Sequence, residues 1–513
     1  MRKAEAYWPL ILLLALIKFV LPLFLQSPEY ELQRDEYLYY EQGQHLALGY
    51  LENPPLLSWL GTISSWFGGS EAWIKIWPCF FGAATLVVTC MLTAELGGNR
   101  FAQFIAGLSI ITGAYLRVHF LFQPNILDIF CWTLAIYFLV RFFNTQQPKF
   151  IYWLAFSLAI GWYGKYSIVF IAAALVAGLL LTRHRIIFTR KYTWLAAIGA
   201  ILLIAPNAIW QYHHNWPVVH HMRELQDTQL QYKDPADFFK EQVLMLLPVV
   251  FVWFAGLIWL LRNPSYRVIG ISYFIIIIML FAGRGKGYYA LGIYPALLAA
   301  GATALERVCR TKGWIQYAVT LLIILLTIPL IPLLLPVYKP AKLAAFYEKY
   351  GISKTGALKW EDQRDHPLPQ DFADMLGWKE LAVKTEQFYN QLDDSAKANT
   401  IIYGRHYGHA GALRFYGKEK DFREKVITDN GSFLLWIPNE MRFKNLLFIG
   451  SRVPGSDDEV FNHFQQSRLI DTVSNPFSRQ LGDKIIYYEN IDSTGLRLAV
   501  DGLQEMKKQF RRD

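Results

Sequence analysis

Between Met1 and about Tyr338, apolar runs long enough to cross a bilayer recur one after another, and after Lys339 they stop. About 20 residues at 1.5 Å rise cover a hydrocarbon core roughly 30 Å thick, so each run is a candidate crossing. The 513 residues therefore divide into a polytopic α-helical membrane part, 1–338, and a soluble α/β part of ordinary domain size, 339–513. A hydrophobic content of 54% excludes an ordinary soluble protein.

The first crossing spans Tyr7 to Leu25. It begins inside because Arg2 and Lys3 precede it, and it is retained because no small-residue cleavage site follows. Further runs cover 72–95, 101–121, 126–143, 150–163, 166–183, 194–212, 241–261, 268–282, 287–305 and 315–337. Arg100, Arg141 with Lys149, Arg183 to Lys191, Arg262 with Arg267, and Arg307 to Lys312 all fall on one side of this alternation, which makes that side cytoplasmic. About eleven crossings result, with outer-face loops at 27–71 and 213–240 and the C-terminal domain outside. Residues 31–50 suit a helix lying along the interface, ended by Asn53-Pro54-Pro55.

In the soluble part, 400–403, 433–436, 446–449 and 484–488 read as strands, and 370–392 and 457–468 as helices. The formal charge of +9 lies mostly in short loops beside apolar runs, which argues against nucleic acid as a partner. Cys79, Cys90, Cys131 and Cys309 lie in or beside the membrane runs, so no disulfide framework is expected in the soluble domain.

The informative residues are the charges that the topology rule does not explain. Arg34, Arg117, Lys165, Arg223, Arg284 and Lys286 map to the outer side, beside Asp35, Glu36 and Asp128. Cations gathered at one face at membrane depth suit an anionic partner such as a phosphate headgroup. Each also has a plainer reading. Asp35 and Glu36 suit a solvated loop, Asp128 a carboxylate at a helix N-terminus, and Lys165 a snorkelling interface lysine. In Arg284-Gly285-Lys286 the glycine lets two cations and the backbone approach one anion together. His213, His214, His220 and His221 lack a surrounding cage of ligands and suit loop packing. Tyr407-Gly408-His409-Ala410-Gly411 suits either a substrate-facing turn or a strand-to-helix connection.

Arg34-Asp35-Glu36-Tyr37, Asn53-Pro54-Pro55-Leu56-Leu57-Ser58-Trp59-Leu60 and Asp128 together resemble the polyprenyl-phosphate-sugar-dependent glycosyltransferases of the GT-C superfamily. That group includes protein O-mannosyltransferases and lipid A aminoarabinose transferases. The resemblance runs over about 7–337, with 368–375 and 407–412 similar to the outer domain of bacterial members. It implies a sugar moved from a polyprenyl phosphate to a protein, lipid or glycan acceptor at the periplasmic face of a bacterial inner membrane. Asp35 would be the catalytic carboxylate, with Glu36 and Asp128 beside it; Lys165, Arg284, Lys286 and Arg117 would face the donor phosphate. Arg34, Tyr39, Asn53, Tyr289 and His409 would line the acceptor side or the pocket. Asn53 departs from the aminoarabinose transferases, which carry lysine before the Pro-Pro pair. No cofactor is demanded, although Asp35 and Asp128 leave room for a divalent cation. A transporter or flippase of lipid-linked saccharides is the rival class, and it predicts charges near the bilayer midplane and two inverted halves.

Overall fold

The computed structural model describes residues 4–228, 235–309, 313–455 and 458–512. Arg2 and Lys3 of the basic start, and Arg310 and Lys312 of the last inner loop, lie outside the described residues.

The helices of the first two thirds are α1 (Trp8–Leu25), α2 (Arg34–Gln42), α3 (Leu56–Trp66), α4 (Glu71–Glu95), α5 (Arg100–Ile111), α6 (Ala114–Val118), α7 (Asn125–Thr145) and α8 (Lys149–Gly164). They continue as α9 (Ile168–Leu180), α10 (Lys191–His213), α11 (Pro217–Thr228), α12 (Pro235–Leu244), α13 (Val250–Arg262), α14 (Arg267–Ala282), α15 (Tyr294–Cys309) and α16 (Trp314–Thr327). Among the described residues, five stretches are long and apolar enough to cross a membrane alone: α1, α4, α7, α10 and Trp314–Leu334. Two bent pairs, one at α9 and one at α12 with α13, raise this to seven. A total of eleven needs α5, α8, α14 and α15 to cross as well. α10 and α16 turn Leu195, Ile198, Ile201, Leu202, Tyr317, Leu321 and Leu325 outward. Outward rows of this kind are what a lipid-facing helix presents.

Several expected runs break, each for a local reason. The run 101–121 divides at Gly113, whose φ of 60° ends α5 before α6 begins. The run 241–261 bends at Leu247–Val249, where Pro248 removes a backbone donor. Of 31–50, only Arg34–Gln42 is helical. The chain then turns back, and the Tyr50 hydroxyl donates to the carbonyls of Gln42 and His45.

The last third holds α17 (Ile331–Leu334), α18 (Pro340–Lys349), α19 (Gln370–Ala373), α20 (Trp378–Gln391), α21 (Asp394–Ala398), α22 (Tyr407–Tyr416), α23 (Lys420–Lys425) and α24 (Ser493–Lys508). Its five-stranded sheet has the order β2-β1-β3-β5-β4, from β1 (Thr400–Gly404), β2 (Val426–Ile427), β3 (Asn445–Gly450), β4 (Phe464–Thr472) and β5 (Lys484–Ile491). β1 lies between β2 and β3 in parallel, while β5 runs antiparallel to β3 and β4.

Two expectations fail here. Phe433–Trp436 is part of a 3-10 turn (Gly431–Trp436), because consecutive Phe433 and Leu434 both point inward where a half-buried strand would alternate. Of the helix expected over 457–468, Asp457 lies outside the described residues and the rest holds a short 3-10 turn and the start of β4, an edge strand too exposed to show an apolar period. The helix expected over 370–392 is interrupted by Gly377 at φ 87°.

The two parts share a core. Leu38, Leu57, Phe122 and Ile126 of the membrane part pack in one cluster with Trp378, Leu413 and Phe433 of the C-terminal part. The backbones approach closely where α22 crosses α2, for a Cβ at Gly411 would come within 2.8 Å of the Tyr37 Cβ. We expect Gly411→Val to push α22 off α2, lowering the unfolding temperature of the purified protein and opening the junction to limited proteolysis. Wild-type melting and protease resistance would show that the seam tolerates the added bulk.

Candidate active site

α2 starts with a reciprocal cap. The Gln33 side chain accepts from the Asp35 amide, and Glu36 Oε2 accepts from the Gln33 amide at 2.7 Å. This aims two neighbouring carboxylates in different directions. Glu36 turns inward and is fully buried; its carboxylate binds Lys75 Nζ of α4 at 2.7 and 2.8 Å and the Phe122 amide at 2.7 Å. Lys75 also lies 4.2 Å over the Phe120 ring. With every one of these contacts made, Glu36 holds α2, α4 and the approach to α7 together. The catalytic place expected for Glu36 therefore gives way to a scaffolding one.

Asp35 turns outward and keeps 24% of its side chain exposed. Its Oδ1 accepts from the Tyr407 hydroxyl at 2.6 Å and from Arg34 Nε at 3.3 Å. Among the described residues its Oδ2 is approached only by Gln123 Nε2, at 3.4 Å. From there a polar path runs along the membrane rim. Gln123 Oε1 accepts from Asn125 at 3.4 Å, and Asn125 Oδ1 accepts from Lys165 Nζ at 2.7 Å. The ammonium lies 4.2 Å over the Tyr289 ring and 5.7 Å over that of Tyr288. Lys165 is within electrostatic reach of Asp128 and Lys286. Asp128, buried in the first turn of α7, accepts from Ser167 at 2.8 Å through Oδ2, and its Oδ1 has no hydrogen-bond partner among the described residues.

Tyr39, half-buried on α2, is within electrostatic reach of Asp35, Glu52 and Tyr289. Lys286 immediately precedes the 3-10 turn Gly287–Gly292 that carries Tyr288 and Tyr289. Arg284, exposed at φ 50°, stands further out and lines an apolar cavity of about 230 Å³ with Pro235, Phe238 and Phe281.

Three expected residues do other work. Arg117 pairs with Asp371 and covers the Phe372 ring at 5.3 Å, which ties the rim to the C-terminal domain. Asn53 is buried and accepts from Gln42 at 2.9 Å, so it shapes the turn before the Pro-Pro pair. His409 sits inside the C-terminal domain with Nε2 2.7 Å from Asp483 Oδ2. The residue of its stretch that reaches the rim is Tyr407. Gln123, Asn125 and Ser167 had no signal of their own in the sequence, being common polar residues, and Tyr407 had only the glycines of its stretch; their partners lie 39 to 372 positions away. Among the described residues no group of three or more His, Cys, Asp and Glu side chains is gathered as for a metal ion.

At this rim an outward carboxylate is joined through Gln123 and Asn125 to a lysine that lies over paired tyrosines. Solved structures share the fold, and part of the sequence has known relatives. Residues 52–210 match the family model described as dolichyl-phosphate-mannose-protein mannosyltransferase. The lipid A galacturonosyltransferase RgtD of Rhizobium johnstonii is 28% identical over 227 residues, 42% of this chain and 47% of that protein. The match thus spans about half the length of this curated relative. Among solved structures, ArnT from Cupriavidus metallidurans bound to undecaprenyl phosphate superposes with a TM-score of 0.60 at 14% identity. The superposition covers 96% of this chain and 99% of that one. The Archaeoglobus fulgidus oligosaccharyltransferase in complex with Zn and sulfate follows with a TM-score of 0.50 at 13% identity, covering 86% of this chain and 67% of that one.

Two predictions come from the buried charges. Lys75→Met leaves the Glu36 carboxylate buried without its cation and is expected to cost about 3–5 kcal/mol, with Glu36→Gln/Lys75→Met recovering most of it. Denaturation that ranks the double variant below the single one would overturn the scaffolding role. In the outer region, burial pushes Glu31 up to about 7, against the pull of the Trp378 and Lys379 amides it accepts from. Burial likewise pushes Asp374 up to about 6, opposed by Arg34 and Arg479. Carboxyls raised in the folded state favour folding when protonated, so the stability they contribute is lost as pH rises from about 4 to about 7. The melting temperature should fall over that window, and Glu31→Gln with Asp374→Asn should flatten the slope.

Proposed function

We propose that this chain is an integral-membrane glycosyltransferase that moves a sugar from a polyprenyl phosphate to an acceptor at the outer face, with Asp35 as general base. The observation that carries the reading is the path from Asp35 through Gln123 and Asn125 to Lys165. It joins a partly exposed carboxylate to a cation through two polar side chains. In the reaction the acceptor O–H gives its proton to Asp35 as its oxygen bonds to the anomeric carbon. The bond from that carbon to the phosphate oxygen breaks, and its electron pair leaves with the polyprenyl phosphate. Charge therefore develops on the phosphate, where Lys165 and Lys286 supply the countercharge. A positioned general base is worth about 10² to 10⁴ in rate.

The remaining residues divide by place. Tyr39, Tyr288 and Tyr289 offer hydroxyls and ring faces to the sugar. Asp128, joined to the residue that opens α9 through Ser167, orients Lys165 and so supports the phosphate side. Arg284 beside the apolar cavity suits the point where a prenyl chain meets its phosphate. Arg34 lies toward the acceptor side, over the Tyr407 ring at 5.8 Å. The ArnT structure holds undecaprenyl phosphate, and RgtD is named for lipid A, so an undecaprenyl-linked donor and a lipid acceptor are the first pair to test. The membrane would be a bacterial inner membrane, with the C-terminal domain in the periplasm. The steps are written with side chains alone; a divalent cation between Asp35 and Asp128 would show as loss of turnover on chelation and its recovery on adding Mg²⁺ or Mn²⁺.

In proteoliposomes carrying undecaprenyl-phosphate sugar and lipid A, Asp35→Asn should lower turnover by about 10² or more while donor binding persists. Lys165→Ala should weaken donor binding more than acceptor binding. Wild-type turnover in Asp35→Asn, or equal losses for both substrates in Lys165→Ala, would remove the roles assigned here.

A further inference from the structure

The closest polar contact to Asp35 comes from the soluble domain, 372 residues away in sequence. Tyr407 is the first residue of α22, and its surroundings leave it little freedom. His406 caps the helix by accepting from the Gly408 amide at 3.0 Å through Nδ1, and its ring lies 3.9 Å from that of Tyr407. Burial and the nearby Arg34 hold the His406 imidazole well below its ordinary value, so it stays neutral and able to accept. The Tyr407 amide donates to Asn430 at 3.2 Å. A Cβ at Gly408 would come within 2.8 Å of the Arg34 Cγ, so the first turn of α22 rests directly on the residue before Asp35.

The two carboxylate oxygens of Asp35 are treated differently. Oδ1 takes two donors, the Tyr407 hydroxyl at 2.6 Å and Arg34 Nε at 3.3 Å, while among the described residues Oδ2 has one contact, from Gln123 at 3.4 Å. Burial and the Asp35 carboxylate push the Tyr407 hydroxyl well above its ordinary value, so it remains protonated as a donor.

Resting on the general-base reading of Asp35, we propose that Tyr407 is a positioning residue that locks Oδ1 and presents Oδ2 to the acceptor hydroxyl, so that the soluble domain completes the catalytic centre. The acceptor proton then goes to Oδ2, on the side facing Gln123 and the lysine, while Oδ1 stays bound to the two donors throughout. The soluble domain is thus half of the reaction geometry, in addition to any part it takes in substrate choice.

Tyr407→Phe removes only the hydroxyl and keeps the ring against His406. Losing one hydrogen bond to a charged group, about 1.5–3 kcal/mol, corresponds to a fall in kcat of about 10- to 100-fold. The KM for undecaprenyl-phosphate sugar should stay within about 2-fold, since uniform substrate binding is untouched. Arg414→Gln is the packing control. It breaks the 2.8 Å pair with Glu41 that ties the same two helices without touching Asp35, and should leave kcat near wild type. A second arm needs no turnover: labelling of Asp35 by a water-soluble carbodiimide and an amine, read by peptide mass spectrometry, should be faster in Tyr407→Phe than in wild type and Arg414→Gln. Unchanged or raised kcat in Tyr407→Phe, or an equal loss in Arg414→Gln, would overturn the proposal, as would Asp35 labelling equal in all three proteins. Absence of transfer by the wild-type protein would instead strike at the glycosyltransferase reading, and the labelling arm would still decide whether Tyr407 holds Asp35.

Discussion

The ion pair between Glu36 and Lys75 sets the geometry on which the outer face depends. Both groups are almost wholly removed from water, so each needs the other, and Glu36 fills its remaining capacity with the amides of Gln33 and Phe122. That ties the start of α2, the middle of α4's outer half and the segment leading into α7 to one point. Asp35 is the residue before it, and its direction follows once Glu36 is held. A carboxylate expected to share the chemistry instead fixes where the chemistry can be.

The second constraint is the seam between the membrane helices and the C-terminal domain. It is made of a common apolar cluster and of polar ties in several places: Glu31 with the amides that open α20, Glu41 with Arg414, Arg117 with Asp371, and Glu52 with Ser432. A soluble domain tethered only by its linker would need none of these. Glu31, one of these ties, and Asp374 beside the seam are carboxyls raised by burial, so the seam responds to pH. The pairing of α2 with α22 brings Tyr407 to Asp35, so domain packing and site geometry share one interface.

Much of the architecture was legible in the amino-acid order because bilayer crossing is a local property. A run such as Trp8–Leu25 or Asn125–Thr145 is recognisable from its own residues, and so are β1, β3 and β5, whose apolar stretches are short and bounded. The failures are where local signals are weak. β4 is polar along most of its exposed length, and Phe433–Trp436 is apolar yet curled. Lys165 and Lys286 stood out because cations on the outer side conflict with the topology rule, and Asp35 and Asp128 because they map beside them. Gln123, Asn125 and Tyr407 conflict with nothing, so only their placement reveals them. Asn53 and His409 stood beside suggestive neighbours, and burial assigned them to the scaffold.

The order of residues alone settled that this chain lives in a membrane, that its last third is a separate kind of structure, and that unexplained charge collects at one face. Hydropathy and charge act through solvent over a few neighbouring residues, which is why no coordinates were needed for those conclusions. Which carboxylate of the Asp35-Glu36 pair faces the recess, and which tyrosine holds it, were decided only in three dimensions. Those outcomes depend on directions in space, on Lys75 reaching Glu36 from another helix and Tyr407 reaching Asp35 from another domain.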